Sequence, residues 1–244
     1  PEALYKSAEC AELLGIIQSS IQLYNRFIQT YPQHSLIVPA YLRYGDLQGK
    51  EGNKEEALKT YIKAKEISQN TPLQEQVYLR LANVYEQLNK SEEAFQTYQE
   101  FIEKFPQSQY VQEMKLKLGT YYLKGKKDSI KAIDYLQSLL SQNPAPSIAG
   151  QAWLAISIAY YEVKDYEKSA EALFKTITEY PQIVVKEEQF AWLAQYYLDA
   201  QKWDLARQVL KRMQEVLKDY PSPQRLQFRY AECIHNLGKL DEAI

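Results

Sequence analysis

Three stretches of the chain end alike: Phe27-Ile28-Gln29-Thr30-Tyr31-Pro32, Phe101-Ile102-Glu103-Lys104-Phe105-Pro106 and Thr176-Ile177-Thr178-Glu179-Tyr180-Pro181. Asn143-Pro144 and Tyr220-Pro221 close comparable stretches. Proline lacks the amide donor a helix needs and pushes the residue before it out of the helical region, so each of these marks a helix end. Twelve positions ahead of four of the prolines stands a small residue, Ser20, Ala94, Ala132 or Ser169, and the same phase continues through Ala57, Ala206 and Ala243. Successive members lie 37, 37, 38, 37, 37 and 37 residues apart. A register held over the whole chain is an internal repeat.

Ahead of each small residue runs a second amphipathic stretch in which a large apolar residue precedes a small one: Tyr44-Gly45, Leu81-Ala82, Leu118-Gly119, Ile156-Ser157, Leu193-Ala194 and Tyr230-Ala231. Tyr85, Tyr122, Tyr160 or Tyr197 follows three residues later, with Gln48 and Ile234 as departures. Apolar spacings of three and four read as helix, so every unit is a hairpin of two helices, A and B. Segments such as Gly49–Asn53, Leu88–Ser91 and Gly125–Asp128 join A to B. Asn53 with Glu56 is expected to form a capping box, and Glu92 and Glu93 suit the positive end of a helix. The predicted fold is all-α, a right-handed superhelical solenoid of antiparallel helix pairs with about six and a half repeats of about 37 residues. It is expected to form one body, 1–244, with repeats starting near 1, 38, 75, 112, 150, 187 and 224. Ile244 falls within the last repeat, so the chain is expected to be a piece of a longer protein.

Composition narrows the function. Formal charge is −2 with 25% charged residues of both signs, which disfavours nucleic acid and anionic membranes as partners. No apolar run is long enough to cross a membrane, and no secretory signal opens the chain, so no direct membrane insertion is expected; compartment, cytoplasmic or envelope-associated, stays open. The two histidines, His34 and His235, and the two cysteines, Cys10 and Cys233, have no metal-site or disulfide-framework spacing. No nucleophile elbow, phosphate-cradling loop or zinc-protease motif occurs, so no enzyme, cofactor or metal is expected. Both cysteines read as packing residues, as do most of the 21 tyrosines.

The repeat resembles the tetratricopeptide family, whose motif runs from a large residue through Leu-Gly and Tyr in helix A to Ala, a large residue, Ala and Pro in helix B. Leu4, Tyr41, Tyr78, Trp153 and Phe190 hold the first large position; Tyr24, Tyr61, Tyr98, Leu136, Leu173 and Leu210 hold the middle of helix B. Phe27, Phe101, Leu139 and Met213 stand where the family usually has Ala. The family period is about 34, and the surplus residues are expected to lengthen helix A by roughly a turn, with Ser35, Ser108 and Ser147 as caps. The Tyr-Pro-x-x-Ser style is similar to repeats of bacterial outer-membrane assembly lipoproteins and the periplasmic Tol-Pal coordinator.

This resemblance implies a concave side lined by helix A. Its first row is Tyr5, Leu42, Leu79, Leu116, Leu154 and Phe228; its second is Lys6, Arg43, Arg80, Lys117 and Arg229, interrupted by Ala155 and Trp192. The candidate peptide-binding residues are therefore Leu42, Arg43, Leu79, Arg80, Asn83, Leu116 and Lys117. Arg80, Asn83 and Lys117 resemble the set with which some members hold a peptide carboxylate, and Arg suits bidentate contacts. The competing reading is pairing within the chain, such as Arg43 with Asp46 one turn along. The expected function is a scaffold or adaptor that holds a peptide or helix of a partner protein bearing acidic groups. The alternative is a structural spacer or envelope-assembly lipoprotein domain acting by self-association or by docking to a larger complex. On the first reading, Arg80→Glu weakens an acidic peptide without lowering the melting temperature.

Overall fold

A computed structural model describes residues 1–216 and 223–238. Tyr220, Pro221 and Ala243, three of the positions that set the repeat register, lie outside the described residues. The chain forms two compact units, Pro1–Lys117 and Leu118–Ile244. Unit 1 holds α1 (Glu2–Leu13), α2 (Ile17–Thr30), α3 (Ile37–Lys50), α4 (Lys54–Ile67), α5 (Gln74–Gln87), α6 (Ser91–Lys104) and the first half of α7 (Val111–Lys124). Unit 2 holds the remainder of α7, then α8 (Ser129–Leu140), α9 (Pro146–Glu162), α10 (Tyr166–Glu179), α11 (Glu187–Asp199), α12 (Trp203–Val216) and α13 (Pro223–Asn236). There is no strand among the described residues.

In unit 1 each of α1 to α5 packs on the next helix in sequence, and in unit 2 each of α8 to α12 does the same. Contacts between chain neighbours are what make a stack of hairpins rather than a bundle. The fold is an all-α solenoid of helix pairs.

Small residues permit the close crossings. Ser20, Ala57, Ala94, Ala132, Ser169 and Ala206 are all buried. Ser20 Oγ donates to the Ala8 carbonyl and Ser169 Oγ to the Ser157 carbonyl, each at 2.8 Å, so a serine there bonds helix B to the backbone of helix A. A methyl group on Gly45 would lie 2.5 Å from the Tyr61 ring, and one on Gly119 would lie 2.4 Å from the Leu136 side chain. The mid-helix B residue presses directly on the glycine of helix A. At the second helix B position the large residues fit: Phe27, Phe101, Leu139 and Met213 are fully buried. In unit 1, Phe27 meets Tyr5 edge-on at 5.5 Å and His34 at 5.6 Å.

The turn from A to B is built once per repeat by a residue with positive φ: Gly15, Gly52, Asn89, Lys127, Lys164, Gln201 and Gly238. The amide following it reaches back to the last turn of helix A, as in Asn53 N to Gln48 O at 2.9 Å, Lys90 N to Tyr85 O at 2.9 Å and Lys202 N to Tyr197 O at 2.8 Å. That is the Schellman closure, which satisfies carbonyls the helix end leaves open.

Three local expectations are corrected. The Asn53 side chain caps nothing; it donates to Gln48 Oε1 at 3.1 Å, whereas Asp128 and Asp165 cap α8 and α10. Helix A is not lengthened at Ser35 or Ser108: α3, α5 and α7 have 14 residues each. The surplus goes into paired three-residue turns after helix B, such as His34 N to Tyr31 O at 3.1 Å followed by Ile37 N to His34 O at 2.9 Å. Ser147 lies inside the first turn of the longer α9, behind N-cap Ala145. Cys233 is buried as expected of a packing residue, but Cys10 is exposed.

Candidate functional site

The cations of the second helix A row are placed by carboxylates of the preceding repeat. In unit 1, Arg43 Nη1 lies 3.7 Å from Glu12 Oε1, Arg80 Nε donates to Asp46 Oδ1 and Oδ2 at 2.8 and 3.1 Å, and Lys117 Nζ lies 2.7 Å from Glu86 Oε1. The middle tyrosine of helix B supports each carboxylate from below: Tyr24 Oη donates to Glu12 at 3.4 Å, Tyr61 to Asp46 at 2.7 Å, and Tyr98 to Glu86. Tyrosine, carboxylate and cation recur three times. Each set joins a hairpin to the one after it.

Burial drives the phenols of Tyr24, Tyr61 and Tyr98 well above the usual tyrosine range, with the neighbouring carboxylates adding to it. They are neutral donors. Asp46 is thus held by Arg80 of the next repeat and by Tyr61, not by Arg43 one turn away.

Leu42 and Leu116, expected to line an apolar strip, are 4% and 6% exposed and belong to the core; Leu79 is half-buried. The side chains of Arg43, Arg80 and Lys117 are 51%, 32% and 31% exposed. Arg80 uses only Nε on Asp46, and its two terminal nitrogens make no hydrogen bond among the described residues. Asn83, exposed and one turn further along α5, accepts from Gln87 at 3.2 Å and leaves its own amide donors unengaged among the described residues. Arg80 and Asn83 therefore offer adjacent donors to an oxygen acceptor.

A second polar unit escaped the sequence reading. Glu100 on α6 accepts from Tyr78 Oη at 2.8 Å and pairs with Lys65 Nζ at 2.7 Å, while Lys65 sits 4.9 Å from the Tyr78 ring centre. Burial tends to raise the Glu100 carboxyl, but the bonds from Lys65 and Tyr78 outweigh it and hold the group below its usual range. The signal was present only as residues in different helices, with no local spacing to reveal it. Among the described residues no cluster of three His, Cys, Asp or Glu could hold a metal, and no helix is long and apolar enough to cross a membrane.

Stacked hairpins with a small-residue crossing, a Schellman turn and a polar join between neighbours define a helical repeat protein of the interaction-scaffold class. The chain belongs to the tetratricopeptide repeat family: models of that repeat match residues 2–34 and 76–108, 38–71, and 193–244, together more than half of the chain. No curated protein matches it. Among solved structures, it is similar to a tetratricopeptide repeat protein from Parabacteroides merdae ATCC 43184, with 18% identity, a TM-score of 0.62, and coverage of 98% of this chain and 92% of that one. YrrB, described as a TPR protein with an unusual peptide-binding site, aligns at 17% identity and a TM-score of 0.57 over 73% of this chain and 85% of its own. MamA from Desulfovibrio magneticus RS-1 aligns at 14% identity and a TM-score of 0.54, over 72% and 92%. At these identities the likeness is one of fold.

Proposed function

We propose that this chain is a non-catalytic scaffold that holds a segment of another protein against its helix A face, with the acidic group of that segment taken by Arg80 and Asn83 and flanked by Arg43 and Lys117. The observation that carries the reading is the pair of Arg80 terminal nitrogens beside the Asn83 amide nitrogen on α5, both without a hydrogen bond among the described residues. Asp46 fixes the guanidinium through Nε, which pre-orients the outer fork toward an incoming carboxylate and reduces the ordering cost of binding. Leu79, half-buried next to it, supplies the adjoining apolar contact. Leu42 and Leu116 act from beneath by packing the helices that carry the cations. That YrrB is described as peptide-binding lends support by fold alone.

The test is fluorescence anisotropy of the full chain with short labelled peptides ending in Asp or Glu. Asn83→Asp sets a negative charge on an exposed position and is expected to weaken such peptides about tenfold with an unchanged melting temperature. Arg80→Glu is a poorer probe than the sequence suggested, because it also sets a carboxylate against Asp46 and lowers stability. Peptide binding that ignores both substitutions would refute the reading.

A further inference from the structure

The phase that carries the polar joins of unit 1 is filled differently in unit 2. Trp192 stands where Arg43, Arg80 and Lys117 stand, Ile158 where Asp46 stands, Tyr161 where Glu12 and Glu86 stand, and Leu173 where Tyr24, Tyr61 and Tyr98 stand. All four positions of the join have become apolar or aromatic together. Instead of an ion pair, the structure has a pocket of about 240 Å³ there, lined by Ile158, Tyr161, Leu173 and Trp192, with Ser157 and Glu188 among its walls.

Its rings are set for contact. Trp192 meets Tyr161 edge-on at 5.3 Å and stacks on Tyr196 at 5.6 Å, while Tyr166 lies 5.4 Å from Tyr161. Tyr161 and Tyr166 remain 47% and 42% exposed. Large exposed aromatics braced by one another are the residue types that dominate binding energy at interfaces. The volume falls below the roughly 300–1,000 Å³ of pockets that enclose whole small-molecule ligands, and suits one protruding side chain.

Charge decides what accompanies that side chain. α9 and α11, the helices presenting Ile158, Tyr161 and Trp192, carry Glu162, Glu187, Glu188 and Asp199 and no lysine or arginine. Glu162 is bonded by Ser129 and Asp199 by Gln195, but Glu188, exposed at the pocket wall, has no hydrogen bond or ion pair among the described residues. We propose that this pocket receives a leucine-like or aromatic side chain of a partner segment in which lysine or arginine flanks that residue, the cation pairing with Glu188. This assignment rests on the scaffold reading, and it gives unit 2 a partner chemistry opposite in charge to that of the Arg80 and Asn83 site in unit 1.

The experiment uses the full chain and three labelled peptides, each read by anisotropy: one centred on Lys-Leu-Arg, one on Lys-Ala-Arg and one on Glu-Leu-Glu. The Lys-Leu-Arg peptide is expected to bind about tenfold more tightly than either of the others at this pocket. Ile158→Glu and Glu188→Lys each weaken it about tenfold, and Glu188→Lys reverses the preference toward Glu-Leu-Glu. If Ile158→Glu lowers the melting temperature, the exposed Glu188→Lys decides alone. Equal binding of the Lys-Leu-Arg and Lys-Ala-Arg peptides, or indifference to Glu188→Lys, overturns the assignment. Should peptides with an acidic end still bind the same sample and weaken with Asn83→Asp, the scaffold reading survives and only the pocket assignment falls; if no peptide binds, both fall.

Discussion

The join between the second and third hairpins is the place to test how the repeats of unit 1 are held together. Asp46→Ala removes the acceptor for two donors at once, the Tyr61 hydroxyl at 2.7 Å and Arg80 Nε at 2.8 Å. The side chains of Asp46 and Arg80 are 25% and 32% exposed, so solvent screens the pair and its share is about 0.5–1 kcal/mol. Tyr61 is 5% exposed, and leaving its hydroxyl without a partner costs about 1–2 kcal/mol more. The expected loss is roughly 1.5–3 kcal/mol. Single and double substitutions among Asp46→Ala, Arg80→Ala and Tyr61→Phe, followed by urea unfolding, give the couplings separately. Because an array need not unfold in one step, amide exchange in α3 to α6 locates the loss. Coupling should be about 0.5–1 kcal/mol between Asp46 and Arg80 and of order 1 kcal/mol between Asp46 and Tyr61. Couplings of zero for both pairs would refute the claim that this join stabilises the stack.

Further outcomes follow from individual residues. Lys164 sits at φ 63°, so Lys164→Gly should raise stability by about 1 kcal/mol in urea unfolding, while Gly52→Ala, at φ 84°, should lower it. Gly45→Ala drives a methyl group into the Tyr61 ring and should cost about 1–3 kcal/mol, a loss that Gly45→Ala combined with Tyr61→Leu partly relieves. A thiol reagent at pH about 8 should label exposed Cys10 quickly and Cys233 only on unfolding, since burial and then Glu232 push the Cys233 thiol up to about 11; two fast thiols would contradict this. The depressed Glu100 carboxyl contributes stability that is fully present above the ordinary value near 4.3 and is lost as pH falls through its lower folded value. Glu100 is 40% exposed, so Glu100→Gln should flatten the acid limb of the stability profile by less than about 1 kcal/mol, and an unchanged profile would remove Glu100 from the account.

The repeat was legible because close helix crossings leave a covalent trace at a constant interval: only a small residue fits at Ala57 or Ala94, and only a helix end tolerates Pro32 or Pro106. The left-handed turn residue was equally periodic in space but hidden in the letters, since Gly15 and Gly52 share their role with Asn89, Lys127, Lys164 and Gln201. Backbone closure by the following amide overrides the side-chain preference there. The candidate cations were legible as a row, and their partners were not. Asp46 and Arg80 are 34 residues apart, and such a pair depends on how far one hairpin is displaced along the next, which the period alone does not encode.

The same dependence explains why one phase can serve two ends. A row facing the next hairpin must either meet complementary groups or leave space, and the identity of all members of the set decides which. Arg80 without Asp46 would be a cation beside a buried phenol; Trp192 beside a carboxylate in place of Tyr161 would leave that carboxylate without the donors that Tyr98 and Lys117 give Glu86. Exchange of one member alone is therefore costly, and the joint replacement at Ile158, Tyr161, Leu173 and Trp192 is what keeps the hairpin crossing intact while opening a pocket. Placing Asp at Ile158, with Tyr at Leu173 and Arg at Trp192, should close the pocket into a fourth polar join. Ile158→Asp by itself should destabilise unit 2, and recovery of stability in the triple variant, read by urea unfolding, would show that the join is one exchangeable device; no recovery would show that the crossings around it differ too much for that.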